Sequence, residues 1–178
     1  MSFRVRILCE DRTAERFLRR LCERHHVHVL EVLAAPAGEG NASAWVLRQY
    51  ARLVQQRRSK RFQANLGLVV HIDGDQKGVK ARKAELESEL GAAPRQPDEA
   101  VAVCVPTWCI ETWLLHLTQT GQPGEDVQVK NDPSWAHALS KISDGKAFVL
   151  AAAQWSVLQD APPSLVDGRD ELRRVFAK

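Results

Sequence analysis

The sequence predicts a three-layer α/β fold: a mostly parallel central sheet of about four strands, helices on both faces, and a small helical C-terminal extension. Two observations predict it. Short apolar runs alternate with longer amphipathic ones, strand then helix, four times in succession, the pattern of a parallel sheet with its crossover helices. The third short run, Leu66 to Ile72, is rich in Val, Leu and Ile with no helical spacing, as a buried strand is.

Each element has its own signal. Phe3 to Cys9 alternates Phe, Val and Ile with Arg before turning fully apolar, and reads as the first strand. Asp11 to Arg24 follows as a helix, with Ala14, Phe17, Leu18 and Leu21 on one face and Arg16, Arg19, Arg20 and Arg24 on the other. His25, His26 and His28 close it. Their spacing matches no known metal site, and cations suit a helix C-terminus. Val27 to Ala34 is the second strand. The loop Pro36 to Asn41 leads to a helix from about Ala44 to Arg61, which Asn41 or Ser43 can cap. Trp45, Val46, Leu53 and Val54 face inward on it. The third strand is followed by a helix from Val79 to Leu90, and the linker Gly91 to Asp98 leads to the fourth strand, Ala100 to Val105. Pro106 ends that strand. Trp108 to Leu117 is a helix with Ile110, Trp113, Leu114 and Leu117 on its apolar stripe and Glu111 off it. Beyond the loop Gly121 to Glu125, Pro133 to Ile142 and Lys146 to Leu158 read as helices. Pro162-Pro163 interrupts, and Asp167 caps a short terminal helix to Phe176. Residues 1–120 are thus expected to carry the sheet, and 121–178 to form a helical extension packed on the same domain.

A chain of 178 residues suits one domain with a sizeable core. No apolar run approaches the length that spans a bilayer. The start, Met-Ser-Phe-Arg-Val-Arg-Ile-Leu, is too short and too charged for a signal peptide, so the expected location is the cytoplasm, with no membrane partner. Cys9, Cys22, Cys104 and Cys109 show no CxxC spacing and read as reduced core thiols. Net charge is only +3, but residues 1–84 hold 17 Lys and Arg against 8 Asp and Glu, and residues 85–178 hold 8 against 14. A basic first half points to a polyanionic partner; a solvated basic surface is the plainer reading.

Acidic residues cluster at one address. Glu10 ends the first strand, Asp73 and Asp75 end the third, and Glu111 follows the fourth. In a parallel sheet these ends share one edge, where such folds bind ligands. Close carboxylates repel unless a cation lies between them. A hard divalent ion, Mg²⁺ or Mn²⁺, prefers oxygen ligands and leaves room for substrate phosphates. That set suits phosphodiester chemistry. Taken singly, Asp-Gly-Asp is also a polar turn, and Glu10 and Glu111 are also favourable charges at helix starts. Candidate phosphate contacts are Arg57, Arg58, Lys60 and Arg61 at the end of the second helix and Lys77 and Lys80 at the start of the third. The first group also suits a helix C-terminus, whereas basic residues at a helix start oppose the dipole and call for a nearby anion. Lys146 is a weaker candidate, a surface lysine at a helix start.

Three stretches carry a resemblance to a known family. Ile7-Leu-Cys-Glu-Asp-Arg-Thr-Ala-Glu-Arg-Phe17 is similar to an opening C-E-G-x-x-T-E segment. Val69 to Asp75 is similar to a strand ending in D-x-D, and Cys109-Ile-Glu-Thr-Trp-Leu-Leu-His116 to a C-F-E-x-W-L-L segment. Together, over roughly residues 5–120, they resemble the Toprim domain, and within it the RloB-like (AbiLii-type) proteins related to the OLD-family nucleases. The resemblance implies a Toprim-like (Rossmann-like) catalytic domain over 1–120 and a Mg²⁺- or Mn²⁺-dependent endonuclease or nickase of an antiphage system. It makes Glu10 a metal ligand or general acid/base, Asp73 and Asp75 metal ligands, and Glu111 the completing carboxylate. It also implies an ABC/OLD-type ATPase partner encoded elsewhere, because the chain has no G-x-x-x-x-G-K-[ST] segment. Homo-oligomerisation stays open. Two departures stand out: Asp11 replaces the family's glycine, and Pro106 lies further from Cys109 than the pattern has it. The alternatives are a non-catalytic module of the same fold that binds nucleic acid or the ATPase, and a phosphatase using the D-x-D. The last leaves both glutamates unexplained.

Overall fold

The computed structural model describes residues 3–37, 40–60, 62 and 65–177. Its elements run β1 Arg4–Cys9, α1 Arg12–Arg24, β2 His28–Ala34, α2 Ala42–Ser59, β3 Leu66–His71, α3 Gly78–Glu89, β4 Val101–Cys104 and α4 Ile110–Thr118. Two 3-10 turns, Val129–Asn131 and Pro133–Trp135, precede α5 Ala136–Lys141, α6 Gly145–Gln154 and α7 Pro163–Phe176. The strands pair in the order β2-β1-β3-β4, every pair parallel. The result is the expected α/β architecture, a Rossmann-like three-layer fold.

The layers follow from strand alternation. Val5, Ile7 and Cys9 of β1, Val69 of β3 and Cys104 of β4 pack on one face with α1, α4, α6 and α7. Leu8, Leu68, Val70, Val101 and Val103 pack on the other with α2 and α3. β3 and β4 are buried along their whole length, which is why they read as continuous apolar runs and not alternating ones. Asp11 caps α1 through Ala14 N–H at 2.9 Å, and Asn41 caps α2 through Ala44 N–H at 3.0 Å, each satisfying a backbone donor that the helix leaves free. All four cysteines are free and buried.

Three boundaries differ from expectation. Pro162-Pro163 does stand at the break between α6 and α7, but the terminal helix starts earlier than expected: Pro163 opens α7 at its first position, where a missing N–H costs nothing. Asp167 is therefore not a cap but lies inside α7, where it pairs with Lys83 at 2.7 Å. The segment from Pro133 begins as a 3-10 turn before α5. The helix expected to reach Leu158 ends at Gln154.

β4 lies at the edge of the sheet, and its open side is covered from α7 and the preceding linker. Glu171 accepts from Val103 N–H at 3.0 Å, Arg95 donates to the Val101 carbonyl at 3.0 Å, and the two side chains pair with each other. A sheet edge is thereby closed to further pairing. α7 also reaches the core directly. The Trp113 indole N–H donates to Ser164 Oγ at 2.8 Å, and Gly168 sits so close to that ring that a Cβ would meet Trp113 Cη2 at 2.5 Å. Among the described residues no helix is long and apolar enough to cross a membrane.

Candidate functional site

The strand order fixes where a site can form. From β1 the chain crosses to β2 by α1 on one face; from β3 it crosses to β4 by α3 on the other. β1 and β3 are adjacent, so the crevice between their carboxyl ends is the point where the topology switches direction, the position at which open α/β sheets bind ligands. Glu10 follows β1 there, and Asp73 follows β3. They touch: Asp73 N–H donates to Glu10 Oε1 at 3.1 Å.

The loop after β3 is locked against the loop after β4. Gly74 N–H donates to the Pro106 carbonyl at 3.0 Å and Asp75 N–H to the Trp108 carbonyl at 3.0 Å. A Cβ on Gly74 would lie 2.2 Å from the Thr107 carbonyl oxygen. The glycine between the aspartates is thus required by backbone crossing. This crossing brings the start of α4 to Asp73, whose Oδ1 accepts from Ile110 N–H at 3.2 Å.

At the centre stands a residue absent from the sequence-based candidates. Lys130, on the 3-10 turn Val129–Asn131, places Nζ 3.0 Å from Glu111 Oε2, 3.6 Å from Asp73 Oδ2 and 4.0 Å from Asp11 Oδ2. Glu111 Oε2 is buried and has no directed hydrogen bond. Burial, and then the charges of Glu10, Glu111 and Asp11, push the Asp73 carboxyl well above its ordinary range, against the opposing effect of Lys130. Burial, with help from Asp75 and Asp11, pushes Glu10 up to about 7, although Asp73 N–H and Arg82 work the other way. Burial works against the Lys130 charge, but Asp73 and Glu111 more than offset it and hold the ammonium above its usual range.

His71 lies beneath this centre. It is 1 % exposed, sits edge-on to Trp113, and has no hydrogen bond at either ring nitrogen; Nε2 lies 3.7 Å from Asp73 Oδ1. Burial lowers it to about 4, so the ring is neutral.

Asp75 is not gathered round Lys130. Its backbone is left-handed, with φ of 51°, and its half-exposed carboxylate accepts from Arg82 Nη2 at 2.9 Å. Arg82, 3 % exposed, also donates to the Asp73 carbonyl at 2.9 Å and to Glu85 at 2.9 Å. The anion that the basic start of α3 calls for is therefore Asp75, joined by Glu85.

Two hollows flank the centre. One of about 480 Å³ is lined by Asn41, Ser43, Asp75, Lys77, Trp108 and Gln128. The other, about 260 Å³, is lined by Thr13, Arg16, Glu111, Lys130, Ser143 and Phe148. Within the second, Arg16 lies over the Phe148 ring at 4.6 Å.

The basic candidates divide. Lys77 lines the first hollow and pairs with Glu85; Lys80 is exposed in the first turn of α3. The end of α2 lies elsewhere. α2 runs against the strands, so Arg57, Arg58 and Lys60 stand at the amino edge of the sheet, about 20 Å from the carboxylates for six-residue strands. Arg58 shows this directly, because it binds Glu99 and the Ala93 and Pro94 carbonyls just ahead of β4. These residues do not wall the acidic centre. Arg61 lies outside the described residues. Lys146 lines a separate surface hollow with Arg20 and Val149, and neither hollow beside the carboxylates.

Lys130 leaves no signal in the sequence, because a lone lysine in an irregular segment has no periodicity to place it. Asp11, an extra charge in the opening motif, is both the α1 cap and a neighbour of Lys130. The donor chemistry of Asp73, Glu111 and Glu10 is all-oxygen, as Mg²⁺ or Mn²⁺ prefers, and Mg²⁺ needs only one or two protein carboxylates. The Lys130 ammonium already stands where positive charge is wanted. With that arrangement, no group of three or more His, Cys, Asp or Glu among the described residues forms a ready-made metal cage. No protein-family model and no curated protein matches the chain.

Proposed function

We propose that the chain is a metal-dependent nuclease of Toprim type, hydrolysing phosphodiesters of DNA or RNA as the effector of an antiphage system. One observation carries the reading: at the β1/β3 switch point Asp73 and Glu111 converge on the Lys130 ammonium, and Glu10 is joined to them through the Asp73 N–H. The resemblance of the three motif stretches to RloB-like proteins supplies the reaction class. Asp73 and Glu111 would hold Mg²⁺ or Mn²⁺, with Glu10 beside them. Bound there, the ion would supply charge stabilisation to a phosphoryl group.

The chain's own residues supply the rest. Glu10, with its carboxyl near 7, populates both protonation states at neutral pH, as a general acid/base should. Arg82 holds the Asp73 carbonyl and the Asp75 carboxylate, which fixes the loop. Lys77, Gln128 and the start of α2 line the hollow through which a phosphate backbone would approach. ATP hydrolysis belongs to a separate partner, since this chain lacks a P-loop.

A second reading, a non-catalytic module binding nucleic acid or the ATPase, is favoured by Lys130, which already balances part of the cluster. Incubation with supercoiled plasmid and with RNA in Mg²⁺ or Mn²⁺ separates them. Cleavage that disappears in Asp73→Ala/Asp75→Ala supports the nuclease. Cleavage that persists in the double variant sinks the site assignment. No cleavage by either, with salt-sensitive binding retained, favours the module.

A further inference from the structure

Lys130 occupies a position with two unusual neighbours. On one side it meets Glu111, Asp73 and Asp11 at 3.0, 3.6 and 4.0 Å. On the other it lines the hollow of about 260 Å³ shared with Thr13, Arg16 and Ser143. The side chain therefore has somewhere to go. It is anchored on a three-residue 3-10 turn between loops, and its own exposure is 40 %, so leaving does not require the core to open. The carboxylates do not have that freedom. Asp73 is held by Ile110 N–H, and the Glu111 side chain is only 15 % exposed. A second sign of an unfilled coordination need comes from His71, fully buried, without a hydrogen bond and aimed at Asp73.

We infer that Lys130 is an exchangeable counter-ion that sets the affinity of the carboxylate centre for a divalent cation: it sits among Asp73, Glu111 and Asp11 when no cation is bound, and a cation entering the centre displaces its ammonium into the adjoining hollow. This rests on the metal-site reading above. The physical ground is competition. Two positive charges cannot share Asp73 and Glu111 without repulsion, so each weakens the other's binding.

The test is calorimetric titration of Mn²⁺ into the full chain, with circular dichroism to verify folding. Wild type, Lys130→Met, Lys130→Arg and Asp73→Asn are compared. Lys130→Met is expected to bind Mn²⁺ at least about fivefold tighter than wild type, the lower end of ordinary coupling between two ligands. Lys130→Arg keeps the charge and grips carboxylates with a wider fork. It is expected to fold normally and to bind Mn²⁺ more weakly than wild type, which keeps the test decisive if Lys130→Met does not fold. Asp73→Asn is expected to lose binding. If wild type binds Mn²⁺ through Asp73 but Lys130→Met binds equally or more weakly, the exchange is wrong and the metal site stands. Lys130→Arg binding as well as wild type would overturn the exchange in the same way. If neither wild type nor Lys130→Met binds Mn²⁺, the metal site itself fails, and the exchange with it.

Discussion

At the scale of single residues, the site is governed by carboxylates that the fold buries away from water. Glu10 shows the consequence. Its folded carboxyl titrates near 7 against an ordinary 4.5, chiefly through burial. Between those values the folded chain keeps a proton that the unfolded chain has released, so stability falls as pH rises through that window. Urea denaturation at intervals from pH 4.5 to 7.5 should show this decline in wild type and a shallower one in Glu10→Gln; parallel profiles would contradict it. Gly74 makes a second residue-scale prediction. With a Cβ only 2.2 Å from the Thr107 carbonyl oxygen, Gly74→Ala must push two loops apart, at a cost of about 1–3 kcal/mol. Denaturation midpoints measure this, and an unchanged midpoint would mean that the two loops are not locked as described.

At the scale of elements, α7 is tied into the sheet rather than appended to it. Glu171 takes the outward N–H of Val103 and pairs with Arg95, which itself binds the Val101 carbonyl. Burial raises the Glu171 carboxyl, but the Arg95 hydrogen bond and charge outweigh it and hold the group below its ordinary range. The stabilisation is therefore present above about pH 4.5 and is lost as pH falls through the lower folded value. Glu171→Ala leaves the Val103 N–H unpaired and Arg95 with Glu87 as its remaining carboxylate, and should destabilise by about 1–3 kcal/mol, read as a fall in urea midpoint at pH 7. A near-wild-type midpoint would show that α7 does not close the edge. The helices themselves are legible in the sequence because their periodicity survives packing: Ala14, Phe17, Leu18 and Leu21 are all buried, as are Ile110, Trp113, Leu114 and Leu117. The start of α7 is not legible, since a proline pair reads equally as a break or as a first turn.

At the scale of the whole molecule, the polarity of the chain decides which charges can cooperate. The order β2-β1-β3-β4 puts Glu10 and Asp73 on either side of one crevice. Alternating apolar runs are enough to foresee that the two share an edge. They are not enough to place side chains beyond the strands: Asp75 turns to Arg82, and Lys130 arrives from a segment with no pattern of its own. The basic first half misleads for a geometric reason. The charge lies at the end of α2, and a helix that runs against parallel strands carries its end, with Arg57, Arg58 and Lys60, to the amino edge. The proposed phosphodiester cleavage therefore belongs to the carboxyl edge alone. The most direct test compares Mg²⁺-dependent cleavage of plasmid and RNA by wild type, Asp73→Asn and Arg57→Ala/Lys60→Ala. The prediction is that Asp73→Asn loses cleavage while the amino-edge variant cleaves at the wild-type rate; cleavage retained by Asp73→Asn, or lost in the amino-edge variant, would contradict it.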